Sequence, residues 1–272
     1  MRMTTNTASS KRANELNGKE WTTLSLSVWR NIRRSKEEQG LGHPAMFPVA
    51  LVERLIRCYM RPGDGILLDP FVGSGSAVIA ARNCQKYGIG IDISGEYLNL
   101  ARSRLGQNTL FGPSSYRLIH GDALAVLANW TPSTVDLCVT SPPYWDILGR
   151  PRSADGKARR DYETKPGNLA GISDYRAFVT ALGDVFSAVL VALKPRGYCI
   201  VNVMDLRKKD RFYPLHMDLS AELANRGFVL DDVIIWDRSA EYNNLRPLGY
   251  PYVFRINKVH EYLIIFAKPA KK

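Results

Sequence analysis

Short apolar runs alternate along most of the chain with segments whose apolar residues recur at helical spacing. The runs are rich in Ile, Val and Leu, which is typical of strands buried on both faces of a parallel sheet. Seven runs are predicted to be strands, at 65–71, 88–93, 116–122, 135–143, 198–205, 228–237 and 260–268. Helical spacing predicts helices over 76–85, 95–105 and 174–193.

This alternation predicts an α/β fold with a seven-stranded, mostly parallel sheet and helices on both of its faces. No helical pattern separates the last two runs, so they are expected to pair as antiparallel strands at the edge of the sheet. All of these elements fit one domain over residues 21–272. Residues 1–20 are polar and basic and are predicted to be a flexible arm. Residues 146–171 form a long basic loop without element signals, and loops of this length are commonly functional.

Composition narrows the class of protein further. The chain has 272 residues and is 45% apolar, which supports a sizeable core. Lys and Arg number 37 against 26 Asp and Glu, a formal net charge of +11. A balance this basic favours a polyanionic partner such as nucleic acid, although the charge alone also fits a basic protein without one.

The cysteines and the N-terminal residues indicate the cellular compartment in which the protein is expected. The four cysteines lie far apart without metal-ligand spacing, and they are predicted to be buried free thiols in a reducing cytoplasm. The first residues have no apolar core of a signal peptide, and no segment approaches the roughly 20 apolar residues of a membrane span. His120 and His216 have no partner at metal spacing, so no metal site is predicted.

The stretch "LLDPFVGSGS" predicts a ligand site at the first strand-to-helix turn. Asp69 ends the strand, and Gly73 and Gly75 lie in the turn before a helix. Glycine lets the backbone approach a ligand closely, and the helix start offers free N–H groups. Two glycines are a weak signal alone, because tight turns also need glycine for structural reasons.

Two further acids strengthen this interpretation. Asp92 ends the next strand, where a carboxylate can hold ribose hydroxyls, and Asp122 follows the third. The turn lacks the third glycine of the dinucleotide fingerprint, so NAD stays possible but weakly supported. An acid before the turn suits a ligand with a positive end, such as a sulfonium and amino acid.

The fourth strand ends in "SPPYW", residues 141–145. Prolines cannot supply ladder hydrogen bonds, so the sheet must release the chain here. The Ser141 hydroxyl and the Pro142 carbonyl are rigidly held acceptors, able to bind an amino group on a planar base and to aim its nitrogen lone pair. Pro143 denies the site a competing backbone donor, and the Tyr144 ring could stack on the base. An ordinary strand end is the alternative.

These motifs resemble those of DNA amino-methyltransferases. "DPFVGSGS" with "GIGIDISGEYLNLARSRL" is similar to the family's S-adenosyl-L-methionine site, "HPAMFPVALVERLI" to its cofactor-closing segment, and "SPPY" to its active-site motif. The resemblance implies a Rossmann-like methyltransferase fold and catalysis by Ser141, Pro142, Pro143 and Tyr144. It also implies that the cofactor is held by His43, Pro44, Phe47, Asp69, Pro70, Phe71, Gly73, Ser74, Gly75, Ser76, Asp92, Ile93, Asp122, Ala123 and Ser141.

The implied substrate is double-stranded DNA, with the target base flipped out of the helix. Serine at the first position of the motif is similar to the cytosine-N4 branch of the family, whereas the adenine-N6 branch mostly has Asp or Asn, so adenine stays open. An inactive DNA-binding subunit is a further alternative. The residues expected to contact DNA are Trp145, Arg150, Arg152, Lys157, Arg159 and Arg160.

The chain departs from the family pattern in two respects. The cofactor half precedes the SPPY half, so the motif order is permuted relative to many relatives. No separate target-recognition region is visible, and the candidates are residues 1–42, 146–171 and 239–255. A homodimer, or a partner carrying specificity or a nuclease, could supply the missing recognition. The resemblance implies a prokaryotic or phage origin. It also implies a role in restriction-modification or epigenetic marking.

Overall fold

Eight strands form one sheet in the computed structural model, which describes residues 12–41, 46–63, 65–106, 115–145, 168–242, 245 and 247–270. Across the sheet the strand order is β1-β9-β10-β6-β5-β2-β3-β4, and β7 and β8 form a separate hairpin. In chain order the strands are β1 (Val28–Trp29), β2 (Ile66–Asp69), β3 (Tyr87–Asp92), β4 (Tyr116–His120), β5 (Val135–Thr140), β6 (Leu193–Val203), β7 (Leu206–Lys208), β8 (Arg211–Tyr213), β9 (Val229–Asp237) and β10 (His260–Ala267).

The helices that cover the sheet have local start signals. Side chains of Asn17, Ser35, Asp122 and Asp174 accept hydrogen bonds from the first turns of α1, α2, α6 and α7, as N-caps do. The helices are α1 (Gly18–Leu24), α2 (Lys36–Gly40), α3 (Val49–Tyr59), α4 (Ser76–Asn83), α5 (Gly95–Gly106), α6 (Ala123–Ala128), α7 (Tyr175–Ala192) and α8 (Leu215–Asn225).

The sheet is parallel except for β10, which runs antiparallel to both β6 and β9. The predicted mostly parallel α/β fold is confirmed, but two details of it were wrong. The last two predicted strands do pair as antiparallel strands, β9 and β10, but the antiparallel β10 lies inside the sheet, between β6 and β9, instead of at its edge. The eighth strand, β1, contributes only Val28 and Trp29 beside Ile235 and Trp236, and two residues are too few for a periodic pattern.

Helices α6, α7 and α8 pack on one face of the sheet, and α3 and α4 lie on the other. Helix α7 has 18 residues and a mean hydropathy of 1.4, so by length and composition it could cross a membrane. Its side chains Phe178, Leu182, Phe186 and Val189 are fully buried in the core instead. Each such burial contributes about 1.5–3 kcal/mol, which accounts for the apolar character of α7 as a core helix.

The chain before α1 packs against the body of the protein. Asn14 donates a hydrogen bond from Nδ2 to the Cys58 carbonyl (2.9 Å), and Leu16 is buried. The predicted flexible arm over residues 1–20 is therefore wrong for residues 12–20, since a buried apolar side chain and a long-range hydrogen bond fix them. Residues 1–11 lie outside the described part of the chain.

All four cysteines are free thiols, as predicted. Cys138 and Cys199 are buried in neighbouring strands, whereas Cys58 and Cys84 are only partly buried. Burial raises the pKa of Cys58 and of Cys84 to about 11, so both thiols stay protonated at neutral pH and are poor nucleophiles.

Candidate active site

The carboxyl ends of the parallel strands surround one open cleft. It contains about 970 Å³ of empty space, part of which is open to solvent. The glycine turn after β2, the ends of β3 and β4, and the segment after β5 all contribute to its walls. Ligands of open α/β sheets bind in such crevices at the carboxyl edge, so this cleft is the candidate site.

The glycine turn has the backbone conformation that requires glycine. Gly75 has φ +87° and precedes α4, and a Cβ there would lie 2.9 Å from the Ala101 Cβ. Gly73 has φ +48°, and its N–H donates to Asp92 Oδ2 (2.8 Å). The left-handed backbone is costly for other residues, so the two glycines fix the turn structurally as well as opening it to a ligand.

Arg104 supports the turn from behind. This buried guanidinium donates to the Ser74 carbonyl (2.7 Å) and lies 3.3 Å from the hydroxyls of Ser74 and Ser76. Its charge is paired with the buried carboxylate of Glu38 (3.5 Å). Both serines, predicted to hold a cofactor, therefore also have structural partners within the fold.

The acids at the strand ends are held by backbone N–H groups. Asp92 accepts from Gly73 and Ser94, and burial still raises its pKa. Asp122 caps α6 through the Ala125 N–H (2.8 Å). The neighbouring carboxylates thus have stabilising donors before any ligand enters, and both face the cleft with capacity for further hydrogen bonds.

Asp69 lies behind the cleft wall and is completely buried. Its Oδ1 accepts from the Phe71 N–H (3.0 Å) and the Thr140 hydroxyl (2.6 Å), while Oδ2 is buried without a hydrogen-bond partner. Burial raises the pKa of Asp69 to about 7, with the Asp92 charge adding to the shift. The Thr140 bond also joins the end of β5 to the end of β2.

This raised pKa predicts a pH dependence of folding stability. Between about pH 4 and pH 7 the unfolded chain releases the Asp69 proton while the folded chain keeps it, so stability falls as pH rises, by at most about 1.4 kcal/mol per pH unit. Above pH 7 the loss levels off. We expect the free energy of urea unfolding of the wild type, minus that of Asp69→Asn, to fall over this window. A difference that is constant or rises with pH would contradict the buried, protonated Asp69.

The SPPY residues line the same cleft as the glycine turn. Strand β5 ends at Thr140, and Ser141, Pro142, Pro143 and Tyr144 follow directly along the wall. The Ser141 Oγ lies 3.4 Å from the Tyr144 hydroxyl. A single cavity therefore joins the two motifs that the sequence separates by about 70 residues.

Tyr144 is anchored from behind by a buried polar network. Its hydroxyl donates to Glu261 Oε2 (3.3 Å), and burial raises the Tyr144 pKa well above its ordinary value. Asn202 donates to the same Glu261 oxygen, and Arg238 forms an ion pair with the other. Burial alone would lower the pKa of Arg238, but Glu261, Tyr242 and Glu241 together outweigh it and the pKa is raised. The network joins β6, β10 and the residue just after β9 to the SPPY segment.

Most residues predicted to hold a cofactor lie around the cleft. Asp69 and Gly75 lie behind the wall, and His43 and Pro44 lie outside the described residues. The contact of each residue with a cofactor stays a prediction. Those lining the cleft are Phe47, Pro70, Phe71, Gly73, Ser74, Ser76, Asp92, Ile93, Asp122, Ala123 and Ser141.

The residues predicted to contact DNA are placed differently. Trp145 is 3% exposed and does not line the cleft. It packs under the rings of Tyr175 and Tyr213, with centroids 5.4 and 5.0 Å away. Its contact with DNA stays a prediction. The predicted loop cations Arg150, Arg152, Lys157, Arg159 and Arg160 lie outside the described residues.

Several residues of the cleft were not predicted. Asn168 and Leu169 reach it from the end of the long loop, where Asn168 caps a 3₁₀ turn over Leu169–Gly171. The sequence signal that indicates this turn is the asparagine that precedes it, because asparagine commonly caps such turns. The others lie on helices or beside motif residues and carry no mark in the sequence: Met46, Val72, Ser94, Tyr97, Gly121 and Val185.

Among the described residues, no group of three or more His, Cys, Asp or Glu side chains could hold a metal ion. One antiparallel strand lies between two parallel strands, and the glycine turn is followed by acids at the ends of the next strands. Both features are those of the Rossmann-like methyltransferase fold. The chain belongs to the DNA methylase family (N6/N4 methyltransferases), whose profile matches residues 1–103 and 135–272.

Curated relatives share shorter stretches. The type II methyltransferase M.ScaI of Streptomyces caespitosus is 44% identical over 78 residues, which are 29% of this chain and 25% of that protein. M2.DpnII of Streptococcus pneumoniae, also a type II methyltransferase, is 44% identical over 79 residues, 29% of each chain. The matched part thus spans less than a third of either relative.

Solved structures resemble the chain more loosely. A proposed DNA modification methylase from Thermus thermophilus, complexed with S-adenosyl-L-methionine, is 30% identical with a TM-score of 0.39, over 56% of this chain and 55% of that one. A precorrin 8w decarboxylase from Methanobacterium thermoautotrophicum has a TM-score of 0.50 at 18% identity, over 82% of this chain and 92% of that one, and shows the fold alone.

Proposed function

We propose that this protein is an S-adenosyl-L-methionine-dependent DNA methyltransferase that methylates the exocyclic N4 of cytosine. The observation that carries the proposal is the one cleft lined by both the glycine turn and Ser141–Tyr144. A methyl donor and an acceptor amine must meet in one pocket, because proximity and orientation supply most of the catalysis in a direct transfer.

The cleft residues fit the proposed cofactor. Asp92 and Asp122 offer carboxylate oxygens suited to hydroxyl and amine groups, and Phe47, Ile93 and Ala123 supply apolar surface for a flat ring. The buried Asp69 Oδ2, which has no hydrogen-bond partner, lies behind the turn, and Asp69 adds negative potential suited to a positive group only when it is ionised, above about pH 7. When bound, the cofactor supplies an electrophilic methyl group on a sulfonium.

The acceptor side is formed by the SPPY segment. An exocyclic amine is a weak nucleophile because its lone pair is delocalised into the ring of the base. The Ser141 hydroxyl and the Pro142 carbonyl accept its N–H bonds and direct the lone pair into the cleft. The prolines hold both acceptors in place. Tyr144, fixed by Glu261, forms the wall against the flat base.

Serine at the first position favours cytosine N4, because this small neutral hydroxyl leaves the polarisation of the amine largely to the Pro142 carbonyl. Adenine N6 is the runner-up. A base paired inside a duplex cannot reach the cleft, so the mechanism requires base flipping. The basic net charge of +11 fits a DNA substrate. We infer a cytoplasmic role in restriction-modification or epigenetic marking.

The proposal is tested by incubating the protein with methyl-labelled S-adenosyl-L-methionine and unmethylated double-stranded DNA, then digesting the DNA to nucleosides. We expect the label in 4-methylcytosine. Label in 6-methyladenine would assign the protein to the runner-up activity. Label confined to RNA or small molecules would overturn the substrate class. A protein that binds the cofactor and DNA without transferring label would be the inactive subunit.

A further inference from the structure

Two exposed segments beside the cleft have no part in the site described so far. The basic hairpin comprises β7, β8 and their turn (residues 206–213), and the aromatic loop comprises residues 250–256. The hairpin follows the carboxyl end of β6, and the loop leads into the start of the antiparallel β10. Both therefore lie at the edge of the sheet that carries the cleft.

Arg255 ties the two segments together. Its Nη1 donates to the Lys209 carbonyl (2.8 Å), and its Nη2 forms an ion pair with Asp210 (2.6 Å). Lys258, just after the loop, lies over the Phe212 ring at 5.0 Å. The hairpin and the loop thus form one continuous surface.

Trp145 fixes this surface relative to the SPPY segment. It follows Tyr144 directly and contacts the hairpin through Tyr213, while Lys208 lies 4.0 Å above its ring. Tyr175 of α7 packs against Tyr213 as well, at 4.7 Å. The buried Trp145 is therefore an anchor that sets the distance between the hairpin and the proposed base pocket.

Three cations of the hairpin, Arg207, Lys209 and Arg211, are exposed. Arg207 lies over the Phe212 ring and Arg211 over the Tyr213 ring. Among the ion pairs between described residues, none includes Arg207, Lys209 or Arg211. The hairpin therefore presents positive charge that a polyanion can bind.

The aromatic loop exposes large apolar side chains. Tyr252 is 91% exposed and Phe254 is 94% exposed, with Tyr250 and Ile256 beside them. Apolar clusters of this kind mark interaction sites. A second copy of the chain is disfavoured, because a two-fold interface would bring the same cations of both copies together. Rings that stack on bases, flanked by cations that bind phosphates, fit DNA.

We propose that the basic hairpin and the aromatic loop form one DNA-binding surface beside the cleft. The hairpin binds phosphates next to the target nucleotide, and Tyr252 and Phe254 contact bases left unstacked when that nucleotide is extruded. The inference rests on the proposed function for its choice of DNA as the substrate. It assigns recognition to hairpin residues that the sequence patterns did not indicate.

The test measures DNA affinity against salt concentration for Arg207→Ala/Arg211→Ala and Tyr252→Ala/Phe254→Ala. Removing two phosphate contacts should lower the slope of log affinity against log salt by about 1.8 and weaken binding about tenfold or more. Removing the two rings should weaken binding about tenfold or more with the slope unchanged. Affinity for S-adenosylhomocysteine should stay at the wild-type value for both variants.

Arg61→Ala/Arg102→Ala is the matched control, since both arginines are exposed on other parts of the chain. Its slope and affinity should equal those of the wild type. Hairpin and loop variants that keep wild-type slope and affinity, while the wild type methylates DNA, would overturn this inference alone. Loop variants that only dissociate a dimer would overturn it in favour of a second copy. A wild type that binds cofactor but neither binds nor methylates DNA would overturn the proposed function.

Discussion

Replacing Tyr144 by alanine is expected to reduce methyl transfer to DNA about 100-fold or more, while affinity for S-adenosyl-L-methionine changes by no more than a few fold. The ring forms the cleft wall beside Ser141 and Pro142, so its loss lets the target base move away from the two acceptors. A displacement of about 1 Å can cost 100-fold in rate. Single-turnover kinetics and calorimetric cofactor titration measure the two quantities separately.

Two variants control for the loss of a buried ring. Tyr144→Phe keeps the wall and removes only the hydroxyl that contacts Glu261, so we expect a rate loss of no more than about tenfold. Tyr59→Ala removes an equal volume on α3, where Tyr59 packs against Tyr198 away from the cleft, and should leave the rate nearly unchanged. A Tyr144→Ala enzyme that folds and retains wild-type turnover would contradict the proposed role of the ring.

The second large effect is expected at Glu261, a positioning residue that does not line the cleft. Glu261→Gln keeps the shape of the side chain but leaves the buried Arg238 paired with Glu241 alone, which should cost at most about 3–5 kcal/mol of folding stability. The altered network should also release Tyr144, so kcat should fall by up to about tenfold, as in Tyr144→Phe, while KM for the cofactor is maintained. Urea unfolding and steady-state kinetics give these values.

Glu241 provides a matched control within the chain. It also pairs with Arg238, at 2.7 Å, but has no described contact with Tyr144. Glu241→Gln should therefore lower stability while kcat stays within about threefold of the wild type. Equal losses of kcat in both variants would show that Glu261 acts through general stability of the fold instead of through Tyr144.

The central part of the fold and site could be predicted because its signals are local. Buried parallel strands read as continuous apolar runs, and the residues that follow them meet at one edge of the sheet. Asp92, Asp122 and Ser141 each lie at the end of such a run or just after it. Strand order brings β2 beside β5, so the glycine turn and the SPPY segment meet whatever their order along the chain.

The other features of the fold and the site depend on long-range contacts, which produce no periodic pattern in the sequence. The position of β10 inside the sheet is set by pairing with two strands at once, which the run "HEYLIIFAK" does not encode locally. Tyr144 is held by Glu261, which lies 117 residues further along the chain, and Asn202, which bonds to the same carboxylate, lies 59 residues before Glu261. Trp145 follows a recognisable motif, yet tertiary packing against Tyr175 and Tyr213 buries it.

We propose that one cleft holds both the methyl donor and the target amine. This proposal is tested most directly by a crystal structure with S-adenosylhomocysteine and a duplex carrying the methylation site found by sequencing DNA from expressing cells. We expect the cofactor product against the Gly73 turn and an extruded base whose amino group lies within hydrogen-bond distance of Ser141 and the Pro142 carbonyl. A base that stays stacked in the duplex, or binds away from Ser141–Tyr144, would contradict it.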